Sequence, residues 1–407
     1  MISRRDFSLA AAASALGAGV TVAAGSGASA EAESRPQRRH RGRTVIRNVR
    51  VFDGERTLPR ASVLIDGDRI AGLHGGRADV VVDGAGMTLL PGLIDAHTHV
   101  DDGNLAQALR YGVTTELDMF CLPENLAGQR KLAAERDDVA DLRSAGVLAT
   151  APGGHPSQLV PGVEFDTVAH AGEAERFVAD RVAEGSDYLK IVIDGGVQAG
   201  KPLPRLSPET VVALVRAGKA AGLRTIAHAI TLRDIESALD AGVDGLAHVY
   251  CDTGPQAERI TRRIAAQGVF VISTLAYFEA VDLGAENAVR AADALRRAGV
   301  CVLAGTDATP ATPAHGAALH RELELLTEAG FRNEAALAAA TSIPAHRFGL
   351  TDRGRIAPGQ RADLLLVRGN PITDITATSA IAGVWRGGVR DSGMAVSGSG
   401  GWSNTIR

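Results

Sequence analysis

Eight short apolar runs, at residues 93–99, 114–119, 146–150, 188–194, 224–228, 245–249, 269–274 and 300–306, are separated by stretches with apolar residues at helical spacing, such as "SPETVVALVRAGKAAGL" and "LRDIESALDAGV". Few folds accept that order. Short apolar runs alternating with amphipathic helices predict parallel strands covered by helices. Eight such repeats match an α/β fold of the (β/α)8 TIM barrel type. A doubly wound open sheet is the alternative, but the turn after the first run lacks the glycine fingerprint that cradles a phosphate. A chain of 407 residues, 45% hydrophobic and 22% charged, has room for a barrel and a smaller second domain.

The flanks have a different texture. From "TVIRNVRVFDGERTLPRASVLIDGDRIAGL" to Leu90, β-branched runs alternate with Asp-Gly and Gly-rich turns, the mark of antiparallel hairpins. The same texture returns in "GRIAPGQRADLLLVRGNP" and "IAGVWRGGVR". The two clusters are expected to close into one small flanking β-sandwich, made of 44–90 and 356–395, around a barrel spanning 91–355, with 396–407 as a tail.

At the N-terminus, "SRRDFSLAAAASALGAGVTVAAGSGASA" sets Arg4-Arg5 before Phe7 and Leu9, then a mild Ala/Gly stretch, then Ala28-Ser29-Ala30. It resembles a twin-arginine export signal covering 1–30 and cleaved after Ala30, which implies a periplasmic or extracellular protein. The apolar part is too short and mild for a stable membrane anchor. The polar, basic residues 31–43 read as a linker. Forty-three basic against 47 acidic residues give a net charge of −4, which argues against nucleic acid as a partner and leaves a small molecule as the expected one. A homo-oligomer is compatible with this composition. Cys121, Cys251 and Cys301 lack close pair spacing and read as packed thiols.

Barrel enzymes carry their chemistry at the C-terminal ends of the strands. There, "LLPGLIDAHTHV" sets His97 and His99 on one face with Asp95, because strand residues alternate sides. "RTIAHAI" closes with His228, "DGLAHVY" with His248 and "VLAGTDAT" with Asp307. Singly, each has an ordinary reading: a hydrogen-bonded structural histidine, or an aspartate that caps a turn. Together, four histidines and a carboxylate on four strand ends converge on one mouth, and that ligand set predicts a metal site. Lys190, between Leu189 and Ile191 in "SDYLKIVIDGG", is costly in a barrel interior unless it is salt-bridged or modified. His155, in "APGGHPSQ", is either a surface-loop residue or one brought to the substrate by its loop. Tyr250 and Tyr277 either donate to an oxyanion and line the pocket or pack with their hydroxyls bonded.

The set of "PGLIDAHTHV", Lys190, His228, His248 and Asp307 resembles the amidohydrolase superfamily, in its part with a carboxylated lysine and two metals. The resemblance runs from Thr44 to about Arg390 and includes the "RGRIAPGQRADLLLVRGNP" return to the β-domain. Around "APGGHPSQ", "DYLKIVIDGGVQAG" and "AGLRTIAHAI" it is similar to the imidazolonepropionase- and prolidase-like branch. It implies that His97, His99 and Asp307 bind the more buried of two divalent ions, with zinc the expected metal. His228 and His248 would bind the second ion, and a CO2-derived carbamate on Lys190 would bridge the two. It also implies hydrolysis of an amide, cyclic amide or dipeptide-like C–N bond outside ordinary peptides, Asp307 moving the proton. A lactone or phosphotriester hydrolase, or a metal-dependent lyase or isomerase, is the alternative.

Overall fold

The computed structural model describes residues 42–197 and 200–392; the stretch expected to be an export signal, nearly all of the expected linker and the expected C-terminal tail lie outside them. The two ends of the described chain build one sheet. Its N-terminal strands are β1 (Arg43–Phe52), β2 (Thr57–Asp66), β3 (Arg69–Gly72), β4 (Val80–Asp83) and β5 (Met87–Pro91). Arg43, expected in the linker, opens β1. Between these and the C-terminal strands come β6 (Leu93–Thr98), β7 (Val113–Asp118), β8 (Asp141–Ser144), β9 (Leu189–Val192), β10 (Thr225–His228), β11 (Gly245–Ala247), β12 (Phe270–Ile272) and β13 (Val302–Leu303). The chain returns through β14 (Leu364–Arg368), β15 (Ile381–Arg386) and β16 (Val389–Arg390).

The flanking strands join in the order β16-β15-β14-β5-β1-β2-β3, with β4 beside β1. The expected two-cluster β-domain is therefore a single hydrogen-bonded sheet of mixed direction, since β14 pairs antiparallel with β5 while β1 pairs parallel with β4 and β5. Its apolar face gathers Ile46, Val51, Leu89, Leu364 and Trp385.

The central strands are all parallel and form two sheets, β6-β7-β8 and β9 to β13. Backbone bridges tie these sheets at both edges, Ala149 to Ile191 and Thr98 to Ala308. Helices such as Pro208–Ala220 and Leu232–Ala241 fall between consecutive strands; Ser207 and Thr231 cap them by accepting hydrogen bonds from the Thr210 and Asp234 amides. Both faces of the strands are buried. Ile226, Ala247, Phe270, Ile272 and Leu303 pack on one side, and Ala227, Leu246, Val271 and Val302 pack on the other against the helices. That two-sided burial is why the runs read as continuously apolar.

One strand lies elsewhere than expected. The third is expected at 146–150, but the ladder with β7 uses Asp141–Ser144, and only Ala149 pairs onward with β9. Gly146, at φ +64°, breaks the run. The charges in "DLRS" disguise a buried strand, because Asp141 is neutralised by distant arginines. Arg353 meets its carboxylate and Arg361 Nη1 lies 2.7 Å from it, while Arg386 donates to the Ala133 and Arg136 carbonyls. This cluster clamps the C-terminal return onto the parallel sheets. Burial opposes ionisation of Asp141, but Arg353 and Arg361 outweigh it and hold the carboxyl well below its ordinary range. The resulting stability is present above the unfolded carboxylate pKa and fades as pH falls through the native value. Asp141→Ala strands buried guanidinium groups and is expected to cost about 3–5 kcal/mol, read as a lowered denaturation midpoint at pH 7 and a smaller difference from wild type in acid.

Candidate metal centre

The side chains at the strand ends meet in one buried cluster. His97 Nε2 and His99 Nε2 lie 3.2 and 2.9 Å from Asp307 Oδ1, and His248 Nδ1 lies 3.9 Å from Asp307 Oδ2. The His97 and His248 ring centres are 4.9 Å apart, and those of His228 and His248 are 4.6 Å apart. Lys190 Nζ lies 3.3 Å from His97 Nε2. The structure thus brings together His97, His99, Lys190, His228, His248 and Asp307, from the ends of five strands.

Backbone strain helps aim them. His248, Thr274 and Asp307 follow β11, β12 and β13 and all have positive φ, at 76°, 49° and 54°. Non-glycine residues rarely adopt that conformation, and it costs about 1–2 kcal/mol each. Such outliers gather where a side chain must be held in a special direction. Asp95, which alternation placed with His97 and His99, instead accepts hydrogen bonds from the Thr306 amide and hydroxyl, fastening the segment that carries Asp307. Burial, with Glu116 nearby, pushes the Asp95 carboxyl up to about 8.

The electrostatics suit a cation. Burial drives the His97 and His228 pKa values well below the usual imidazole range and that of His248 to about 3, so these rings are neutral and have lone pairs to give. His248 Nδ1 is 2.8 Å from the Thr274 hydroxyl, which leaves Nε2 free for a ligand. Asp307 stays ionised: burial raises its carboxyl, and the imidazoles of His97 and His248 with the hydrogen bond from His99 outweigh that. Burial pushes the Lys190 amine down to about 7, against the opposing fields of Asp307 and Asp118. Among the described residues, His228 Nε2 and Asp194 Oδ2 are buried without a hydrogen-bond partner. Orphaned acceptors beside neutral imidazoles and a carboxylate are what a divalent cation would satisfy. Two ligand groups emerge, His97 with His248 and Asp307, and His155 with Asp194 and His228.

His155 is thus neither exposed nor loose. It is buried, with its ring centre 5.0 Å from that of His228. Tyr277 lies beside the cluster, 6.5 Å from His248 between ring centres; burial and then Asp307 and Asp194 raise its phenol pKa, keeping the hydroxyl protonated. Tyr250 is a correction. Its hydroxyl pairs with Thr261 of the helix Pro255–Gln267, so it packs rather than serves the site. Sequence reasoning also missed Asp194 and Thr274. Alternation from Lys190 through 192 puts Asp194 on the same face at the end of β9, a signal available in "KIVIDGG". Thr274 had no comparable signal, because its role depends on the positive φ.

Comparison with known proteins identifies the family and the fold. The amidohydrolase family model matches residues 88–399. Adenine deaminase 2 of Rhizobium meliloti (strain 1021) is 29% identical over 79% of this chain and 53% of its own length, and adenine deaminase 3 of the same strain is 30% identical over 82% and 55%. The chain spans about half the length of these curated relatives. Among solved structures, a Xaa-Pro dipeptidase with bound methionine superposes with TM-score 0.75 at 22% identity, covering 86% of this chain and 99% of that one. A putative prolidase from Bifidobacterium longum gives 0.73 at 24%, covering 86% and 94%. With a family model matched across the parallel sheets and the C-terminal return, the chain belongs to the amidohydrolase family.

Proposed function

We propose that this chain is a metal-dependent hydrolase of a C–N bond, built on a closed (β/α)8 barrel with a flanking β-domain. The observation that carries the reading is the convergence of four histidines, Lys190 and Asp307 at buried strand ends, within hydrogen-bond or ring-contact distance of one another. The bridges at both edges of the parallel sheets support the closed barrel. The twin-arginine segment supports export.

His97, His99 and Asp307 would hold one divalent ion and His228 and His248 the other, with zinc suited to this nitrogen and oxygen set. Such ions, when bound, would lower the pKa of a bound water and polarise the electrophilic carbonyl. The chain's own groups do the rest. Asp307 is an ionised carboxylate close to three imidazoles, so it can accept the proton of the attacking water. It then delivers that proton to the leaving nitrogen as the C–O bond forms and the C–N bond breaks. Tyr277, held protonated beside His248, would donate to the substrate oxygen. Lys190 is the reason to infer a carbamate. Burial brings its amine down to about 7, so a substantial share is free base near neutral pH, the form that adds to CO2, and the resulting anion would serve two cations where an ammonium would repel them.

The relatives named adenine deaminase and the prolidase-like structures support C–N hydrolysis over the lactone, phosphotriester and lyase alternatives. A turnover screen of metal-replete protein against adenine, N-acyl amino acids, Xaa-Pro dipeptides, lactones and phosphotriesters tests it. The expected outcome is highest kcat/KM on a C–N substrate; preference for an ester or phosphotriester would overturn it.

A further inference from the structure

His155 belongs to a ligand-like group, yet its own hydrogen bonding speaks against metal binding. Its Nδ1 is 2.7 Å from Gln158 Nε2. The other end of that amide, Oε1, is buried with no partner among the described residues. Turning the amide round would put its NH2 group in that place and strand two donors, a worse outcome than one unbonded oxygen. The amide nitrogen therefore donates to Nδ1. An imidazole that accepts at Nδ1 carries its single proton on Nε2, and an Nε2–H group cannot coordinate a cation.

The loop fixes this arrangement. Thr150 Oγ1 donates to the His155 carbonyl at 2.7 Å. Gly154 is packed so closely that a Cβ there would lie 2.8 Å from both the Pro204 carbonyl and Thr150 Oγ1. His155 has little freedom to leave its place beside His228.

We propose that Gln158 is a positioning residue that locks His155 in the Nε2–H tautomer, so that His155 offers a hydrogen-bond donor to the reacting carbonyl and is not a metal ligand. The proposal rests on the hydrolase reading for its catalytic consequence, but the tautomer itself does not depend on turnover. Gln158→Glu reverses the bond, because a carboxylate at this position accepts from Nδ1–H and removes the proton from Nε2. Gln158→Leu removes the preference altogether.

Two-bond proton–nitrogen NMR of full-length protein with 15N-labelled histidine tests this, with the His155 signals identified by their loss in His155→Asn. The wild type is expected to show Nε2 protonated and Nδ1 bare, with or without added zinc, and Gln158→Glu to show the opposite. With an active substrate, both Gln158 variants are expected to lose about 10- to 100-fold in kcat with KM and zinc content near wild type, the size typical of an orienting partner. A wild-type His155 protonated on Nδ1, or a Gln158→Leu protein with unchanged tautomer and unchanged kcat, overturns the proposal. If the chain hydrolyses none of the substrates tested, the NMR result still decides the role of Gln158. If the tautomer proves wrong while turnover is intact, the hydrolase reading stands without it.

Discussion

Lys190→Ala is expected to lower turnover by about a thousandfold or more, because it removes the group that would join the two cations and stabilise the second. The alanine leaves room beside His97, where Lys190 Nζ now sits 3.3 Å from Nε2. Short carboxylates such as acetate or propionate are therefore expected to restore part of the rate in a saturable way, by replacing the missing anion. A lysine with a merely structural role predicts a different pattern: lower stability from the cavity and the lost amine, with no response to added acid. Rate measured against carboxylate concentration, with metal content on the same samples, separates the two. Wild-type rate and metal content in the variant would eliminate the bridge and point to a one-ion site.

Asp307→Asn is the second large effect. The amide keeps the shape of the side chain but neither accepts a proton as readily nor carries the charge that faces His97, His99 and His248. Loss of the proton shuttle alone is worth up to about 10^4 in kcat, and weaker metal binding adds to it. The fold is expected to persist, since the Asp307 amide still donates to the His97 carbonyl at 2.8 Å and Asp95 still holds Thr306. The checks are kcat, metal per chain and the thermal midpoint. A variant that retains metal and loses less than about tenfold in kcat would move the shuttle to another residue, because a positioned general acid–base contributes at least about 100-fold.

Much of this site was legible because most of its side chains close an apolar run. His228, His248 and Asp307 announce strand ends, and the one-residue spacing of His97 and His99 announces a shared face. Lys190 stood out because a charge inside such a run needs an explanation. The parts that were not legible depend on long-range contacts. Asp141 makes a buried strand look like a surface turn, and only Arg353 and Arg361, more than 200 positions later, show why it is tolerated. Asp95 follows the strand pattern but is diverted by Thr306 across the seam between the first and last parallel strands. His155 looked like a mobile loop residue because nothing local in "PGGHPSQ" reveals that Pro204 packs against Gly154 and closes the loop over it. Tyr250 misled for the opposite reason: adjacency to His248 in sequence does not survive the turn that sends its hydroxyl to Thr261.

Reconstitution of chelator-stripped protein with zinc, with bound metal and C–N hydrolysis followed together, decides whether the strand-end cluster is a working metal centre. Activity is expected to be absent in the stripped protein and to rise with added metal to a plateau near two ions per chain, and His97→Ala and His248→Ala to bind less and stay inactive while folded. Hydrolysis that survives stripping, or full metal binding in both histidine variants, would contradict it.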